Sequence, residues 1–366
     1  MISDFGLLPR IRPARYRQPG QARIAVLIPA HNEARGIAAT LRTVLAQTRT
    51  PDFITVVAHN CKDGTAAVAR SFPGVEVIEL DLDNGERKTA PLNWGMDRLL
   101  AVLDERDLIL TMDADTRLSR ELIARAENHF LAVPKLGAVA AHHLVHKPRG
   151  LLQRLQQMEM ERGRRSATRR GGRRTCMSGM ASMFRVTALL QIHHKFGRIY
   201  EPWNSTEDWG LTFAMKDAGW FDRRPPDLLL TYTPVTTWSA LFQQRERWGR
   251  GYWETLRYFR FRRFTAWPWL LQMWWFISTA CFFVFLGLEG AQHHAPRATT
   301  WLAVVTSVMI FTAMMTVRKA GFKAVLIAVL VLPEMTYTWV INFATIWGIA
   351  KNLLRKEMQW ADVRER

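Results

Sequence analysis

Between residues 24 and 112 the chain passes through four short apolar segments, 24–28, 53–57, 75–80 and 108–112, with polar turns and helix-periodic stretches between them. Each is too short for a helix and suits a buried strand. The intervening stretches 34–47, 65–71 and 90–104 read as helices; in the first, Ile37, Leu41, Val44 and Leu45 recur at helical spacing. Strands alternating with helices predict βαβ units around a parallel sheet, an α/β fold. The same constraint locates a site, because such sheets bind ligands at the carboxyl ends of their strands. His31, Asn32 and Glu33, the turn from Asn60 to Asp63, and the pair Asp113 and Asp115 all fall at such ends.

The chain changes material near Trp267. Residues 267–288 and 299–317 are apolar runs of about 20 residues, the length of one bilayer crossing. Residues 323–350 form a longer run, interrupted by Pro333 and Glu334 and carrying Asn342. The 289–298 connector has one Arg and no Lys, whereas Arg318, Lys319 and Lys323 cluster at the next. Positive charge marks the cytosolic side, so 289–298 is expected outside and 318–323 inside. The basic tail 351–366 also reads as cytosolic. Three straight crossings would put it outside, so 323–350 is expected to bend at Pro333 as a re-entrant or broken pair. The expected organisation is a basic arm over 1–21, an α/β domain over 22–235, amphipathic interfacial helices over 236–265, membrane helices over 266–350 and the tail.

The net charge of +18 invites a nucleic-acid reading. Its placement argues otherwise, since most Arg clusters (10–23, 162–174, 245–263) flank the apolar runs, as attraction to lipid headgroups requires. No nucleic-acid partner is expected. The Arg162 to Arg174 run is read as a solvated or headgroup-facing loop. Cys61, Cys176 and Cys281 show no metal-like spacing and no disulfide framework. The segment 5–8 is too short for the core of a signal peptide, which places the polar part in the cytosol.

Several motifs carry chemistry. Asp113 and Asp115, two apart at a strand end, point to one face and can coordinate Mg²⁺ or Mn²⁺ beside a diphosphate. A solvated turn is the plain alternative. Thr206-Glu207-Asp208 opens a helix over 207–218, where a Thr N-cap and acids in the first turn also have a purely local explanation. Trp203 and Trp209 beside it are suited to a sugar site. Gln244, Arg247 and Trp248 share one helix face at i, i+3 and i+4, within a 238–262 stretch that mixes Trp, Phe and Leu with Arg like an interfacial helix.

In this order the motifs resemble the membrane-bound family-2 glycosyltransferases, the group of the cellulose, chitin, hyaluronan and poly-N-acetylglucosamine synthases. The resemblance covers residues 22–260 well and the membrane part loosely. It implies a Rossmann-like GT-A nucleotide-sugar-binding domain with a C-terminal transmembrane region, at the cell (inner or plasma) membrane. Pro29-Ala30-His31-Asn32-Glu33 resembles the family's Pro-Ala-x-Asn-Glu start, which implies that Ala30, Asn32 and Glu33 surround the nucleotide. Lys88 to Asn93 resembles a Gly-Lys-x-x-Ala-Leu-Asn loop whose Lys faces the diphosphate; here Arg87 replaces Gly and Pro91 replaces Ala. The resemblance implies that Asp113 meets the donor, Asp115 is the direct metal ligand, and Asp208 is the general base. Gly179, Glu207 and Trp248 then fall on the acceptor side, with Gln244 and Arg247 gripping the diphosphate. The 360–364 segment, with Trp360 and Arg364, resembles the family's C-terminal ending.

One departure bears on the donor. His59 stands where the family has an Asp that contacts uracil, while Asp63 matches a later Asp of the same motif. His59 either reads the base edge with an altered donor and acceptor pattern or serves as a turn residue. A second departure is the absence of an N-terminal transmembrane pair. The expected reaction is metal-dependent, inverting transfer of a hexose or N-acetylhexosamine from a nucleotide sugar, with UDP favoured, to a saccharide. Polymer synthesis, single transfer to a lipid or protein acceptor, and homo-oligomer formation stay open. A silent scaffold or nucleotide-sugar sensor is the rival class, and intact Asp113, Asp115 and Asp208 argue against it.

Overall fold

The computed structural model describes residues 22–82, 88–173, 176–292 and 299–354. The 1–21 arm, Arg87, Arg174, residues 293–298 and the end of the tail with Trp360 and Arg364 lie outside them. The chain divides into two compact units, Met1–Val235 and Thr236–Arg366.

The first unit is built on a seven-stranded sheet. Its opening half alternates β1 (Ile24–Ala30), α1 (Ile37–Leu45), β2 (Phe53–His59), α2 (Thr65–Arg70), β3 (Glu76–Leu80), α3 (Thr89–Leu100) and β4 (Leu108–Met112). Every residue of β1 and β4 is buried, which explains why both read as unbroken apolar runs rather than alternating ones. There follow β5 (Arg117–Leu118), α4 (Leu122–Ala132), β6 (Leu136–Ala140), β7 (His142–Val145), α5 (Gly150–Arg169), β8 (Ala181–Arg185), α6 (Val186–Phe196), α7 (Glu207–Asp217), β9 (Phe221–Arg223) and β10 (Leu229–Tyr232). The sheet order is β3-β2-β1-β4-β8-β6-β9, and a small sheet runs β5-β10-β7. Strands β3, β2, β1 and β4 are parallel, while β8 runs antiparallel to both β4 and β6. The order reverses between β1 and β4. That is the topological switch point where open α/β sheets leave a crevice.

Asp107 ties the start of β4 to the start of β1. Its carboxylate is buried and accepts the Arg23 backbone N–H at 2.8 Å and the Arg23 Nε–H at 2.9 Å. The Arg162 to Arg174 run is largely not a loop. Through Arg169 it forms the last turns of α5, whose buried Leu152, Leu155, Met158 and Glu161 recur at helical spacing. Arg164 pairs with Glu161 at 2.9 Å.

The second unit is helical: α8 (Trp238–Phe259), α9 (Ala266–Gln292), α10 (Thr299–Val317), α11 (Phe322–Val329) and α12 (Leu332–Leu353). Thr237 caps α8 by accepting the Ala240 N–H at 3.2 Å. Among the described residues no single helix is both long and apolar enough to cross a membrane. The pair α11 and α12 meets the requirement together, bent by 84°. The bend falls before Pro333, which sits in the first turn of α12 where its missing N–H breaks no helical bond. Helices α8 and α12 pack backbone to backbone. A Cβ on Gly249 would lie 2.8 Å from Thr345 Cα, and one on Gly348 would lie 2.2 Å from the Glu246 carbonyl oxygen. Lys351 to Glu246 (2.6 Å) and Asn352 to Glu254 (2.9 Å) fix their register.

Candidate active site

The loops that close β1 and β2 form one cross-bonded rim. Asn32 and Asn60 take positive φ angles, 51° and 49°, which Asn tolerates better than most residues. Asn32 accepts the Lys62 N–H at 2.8 Å and donates to His31 Nε2 at 3.2 Å. His31 Nδ1 then donates to the His59 carbonyl at 2.8 Å, so the network selects the Nδ1–H tautomer. The Glu33 N–H donates to Thr65 Oγ1 at 2.8 Å, behind buried Ala30.

Two sequence-predicted donor residues are placed differently from each other. Asp63 spends one oxygen on the Thr65 N–H and hydroxyl and the other on the Ala34 N–H at 3.0 Å. Its side chain thus knits the rim, and these bonds hold its carboxyl below the ordinary value despite the opposing effect of burial. The His59 ring is buried at 7% exposure. Burial, then the neighbouring His31, pushes its pKa down, so it is a neutral imidazole. The exposed imidazole at this rim is His31, which sequence reasoning left unassigned.

The charged centre gathers residues far apart in the chain. Lys88, at the head of α3, reaches Asp113 Oδ1 at 2.6 Å and Glu207 Oε1 at 2.5 Å. Burial disfavours its charge, but the two carboxylates more than offset this and hold the ammonium above the usual lysine range. Glu207 and Asp208 open α7. The expected Thr206 cap is not formed by the hydroxyl, which turns instead to Asn204 Oδ1 at 3.2 Å. Asp208 Oδ2 accepts the Gly179 N–H at 3.1 Å and Oδ1 accepts the Trp209 N–H at 2.9 Å. Burial, then the Glu207 charge, raises its carboxyl to about 6, against the pull of Lys88 and the two N–H donors.

Gly179 is a close-approach position. A Cβ there would stand 3.1 Å from Glu207 Oε1, 3.5 Å from Lys88 Nζ and 3.7 Å from Asp208 Oδ2. The room left by the missing side chain is taken by charged groups. A small cavity adjoins this cluster, lined by Lys88, Thr111, Gly179, Tyr200, Glu207 and Asp208. Tyr200 was not found from sequence. Burial raises its phenol well above the ordinary value, with Thr111 hydrogen-bonding it, so it stays neutral. Asn93 holds it in place by a reciprocal pair of bonds to its backbone, 2.8 and 2.9 Å. The Lys-to-Asn spacing from 88 to 93 was the available signal. Of the two Trp residues expected at a sugar site, Trp203 is 38% exposed and Trp209 packs edge-on against Phe213 at 5.9 Å.

Asp113 and Asp115 offer hard oxygen ligands. Burial, then the Asp113 charge, raises the Asp115 carboxyl to about 6, against the pull of Lys88. Among the described residues no three His, Cys, Asp or Glu side chains group closely enough to complete a metal site alone. The donor set suits Mg²⁺ or Mn²⁺, which is commonly bound by one or two carboxylates plus substrate phosphates. In the second unit, Gln244, Arg247 and Trp248 lie on α8, where buried Arg245 stacks on Trp248 at 4.2 Å and donates to the Tyr337 hydroxyl at 3.3 Å.

A parallel sheet with a switch point, Asp-x-Asp at the end of one strand and a buried acid heading a later helix define a GT-A glycosyltransferase fold. The family model for glycosyltransferase-like family 2 matches residues 19–251, and the chain belongs to that family. It is 25% identical over 241 residues to the poly-β-1,6-N-acetyl-D-glucosamine synthase of Staphylococcus aureus, covering 64% of this chain and 55% of that protein. The synthase of Staphylococcus epidermidis is 24% identical over 243 residues, with the same coverage. The chain thus spans little more than half the length of these relatives. Among solved structures, the mannosyltransferase of Pyrobaculum calidifontis, in complex with GDP-Man and Mn²⁺, superposes with a TM-score of 0.60 at 17% identity. That match covers 93% of this chain and 92% of the other, and it speaks to the fold.

Proposed function

We propose that this enzyme performs inverting, metal-dependent transfer of a hexose or N-acetylhexosamine from a nucleotide sugar, with UDP as the favoured nucleotide, to a saccharide acceptor. The observation that carries the reading is Asp208. It is a carboxylate raised to about 6 by burial and the Glu207 charge, oriented by a backbone N–H and set beside the Lys88 to Asp113 pair. A pure binding module has no use for a base tuned near working pH.

Asp208 takes the proton of the acceptor hydroxyl as that oxygen bonds to the anomeric carbon. The bond from that carbon to the phosphate oxygen breaks, and the nucleoside diphosphate leaves with the electron pair. Lys88 balances the charge that grows on the departing diphosphate. A divalent cation held by Asp113 and Asp115 would supply further neutralisation. Ala30, Asn32, Glu33 and His59 line the nucleoside side of this scheme, Asp63 braces it, and Gly179 and Glu207 border the acceptor. Gln244, Arg247 and Trp248 carry the family motif on α8.

The second unit is read as a membrane platform, and a multi-pass arrangement with the catalytic unit on the cytosolic side is part of this proposal. Apolar side chains there stand open, Phe322 at 80%, Leu332 at 72% and Trp274 at 70% exposure, and Arg318 and Lys319 mark the cytosolic end.

The test is nucleoside-diphosphate release by the full chain in lipid nanodiscs, across a panel of nucleotide sugars with and without Mn²⁺. Metal-dependent release from one donor, lost in Asp208→Asn, is expected. Donor binding without release, given a saccharide acceptor, would overturn the reading in favour of a sensor. Product length separates a polymer from single transfer to a lipid or protein.

A further inference from the structure

The turn that carries Gly179 is held from below by a residue of the second sheet. Ser178 is buried at 4% exposure, and its hydroxyl is the hub. It accepts the Met180 N–H at 3.1 Å and shares a hydrogen bond of 2.5 Å with His143 Nε2. The Ser178 backbone is clamped in turn by Ser182, whose Oγ accepts its N–H at 3.3 Å and donates to its carbonyl at 2.7 Å.

His143 is itself rigidly mounted. It lies on β7, in register with Leu230 of β10, and its ring meets Tyr232 edge-on at 5.8 Å. It is not among the residues lining the cavity beside Lys88 and Asp208. The contact that joins it to the turn is the one with Ser178.

What the turn presents is the reason this matters. The Gly179 N–H points at Asp208 Oδ2 at 3.1 Å. The next carbonyl, that of Met180, accepts the backbone N–H of Asp113 at 3.0 Å. On the other side, the Met177 N–H donates at 3.0 Å to Thr212 Oγ1, which bonds back to the Asp208 carbonyl. One turn of chain thus fixes the base at its side chain and its backbone and meets the strand end that bears the carboxylate pair.

We propose that His143 is a positioning residue for glycosyl transfer, holding Ser178 so that the Gly179 N–H stays aimed at the Asp208 carboxylate. The inference rests on the reading of Asp208 as the base. With His143 reduced to a hydrocarbon, the Ser178 hydroxyl is free to rotate and Met180 N–H loses its fixed acceptor. The turn can then relax, and the Gly179 N–H no longer favours the ionised base. Glu207 and Lys88 still face Asp208, so its remaining charge environment is unaltered. The effect should fall on turnover and its pH dependence, and donor affinity should be spared.

The experiment compares His143→Leu, His143→Gln, Ser178→Ala and the His143→Leu/Ser178→Ala double variant. Nucleoside-diphosphate release is followed from pH 5 to pH 9 on the full chain in nanodiscs, with the donor that gives turnover. His143→Leu and Ser178→Ala should each lower kcat about tenfold, the size of one hydrogen bond to a charged group. Donor KM should hold within about twofold, and the acid limb of kcat should move up by about one pH unit. His143→Gln keeps a polar atom within reach of Ser178 and should recover most of the loss. The double variant should be no worse than either single one, because both remove the same link.

Unchanged kcat and acid limb in a folded His143→Leu would overturn the proposal, as would equal losses in the Leu and Gln variants or multiplicative losses in the double. If His143→Leu fails to fold, Ser178→Ala carries the same test alone. Asp208→Asn separates the two levels. Residual turnover in that variant refutes the base assignment, whereas a dead Asp208→Asn beside a normal His143→Leu refutes only the positioning role.

Discussion

The Gly179 N–H donates to Asp208 Oδ2 at 3.1 Å, across 29 residues of sequence. That single bond joins the small-residue turn before β8 to the first turn of α7. It orients the Asp208 carboxylate while leaving its other oxygen on a local backbone N–H.

Asp208→Asn should abolish turnover, by about a thousandfold or more, while the donor dissociation constant stays within about threefold. Asparagine keeps the shape and an oxygen for the Gly179 N–H but accepts no proton. Isothermal titration with a non-hydrolysable nucleotide sugar, beside a release assay, checks both halves. A parallel collapse of donor affinity would contradict the role given to Asp208.

As the proposed base, Asp208 should set the acid side of the pH profile. The base must be ionised, so kcat should fall as pH drops through about 6. The stability consequence has the opposite sense. A folded-state pKa above the unfolded value means the folded form holds the proton more tightly, so stability is present at low pH and lost as pH rises through about 6. Asp208→Asn should therefore melt higher than the native chain at pH 7.5, with the difference vanishing near pH 4. Thermal unfolding at the two pH values measures it.

Removing the Lys88 charge leaves Asp113 and Glu207 facing each other without compensation. Lys88→Met should raise the donor KM about tenfold or more and shift the acid limb of kcat upward, since Lys88 helps keep Asp208 ionised. A pH series of kcat and KM reads both effects. An unchanged KM would remove Lys88 from the donor site.

Metal binding should compete with protons at Asp115, whose carboxyl is raised to about 6 by burial and Asp113. Mn²⁺ affinity should weaken as pH falls through about 6, and Asp115→Ala should lose Mn²⁺-dependent release. Electron paramagnetic resonance of free Mn²⁺ in the presence of the nucleoside diphosphate follows this directly.

Asp107→Ala should destabilise the first unit by about 2–4 kcal/mol, because it strips the buried partner from the Arg23 backbone and side chain. Denaturant unfolding followed by tryptophan fluorescence tests it. A loss under about 0.5 kcal/mol would mean the Arg23 pairing is solvated and weak.

Much of the first unit was legible because buried parallel strands leave an unambiguous mark, an apolar run ending in polar residues. The ends of β1 and β4 brought Asn32, Glu33, Asp113 and Asp115 into view from spacing alone. The cluster of Lys88, Glu207 and Asp208 needed the family resemblance, since nothing local links α3 to α7. Tyr200 and His143 were missed for a common reason. Each acts through a contact between distant segments, and a lone aromatic or imidazole in a sequence carries no sign of its partner. Thr206 was legible as a cap but not as a hydroxyl diverted to Asn204. The run 162–174 misled because its dense charge hides that it continues the helix whose buried spacing is set upstream by Leu152, Leu155 and Met158.

The contacts of Gly249 and Gly348 have a mechanical meaning. Where two helix backbones touch with no side chain between them, neither can slide or roll without the other, so α8 and α12 move as a single bar. A tilt imposed on α12 is then delivered to the helix that carries Gln244, Arg247 and Trp248, and Ala substituted for Gly348 would act as a wedge that parts the two.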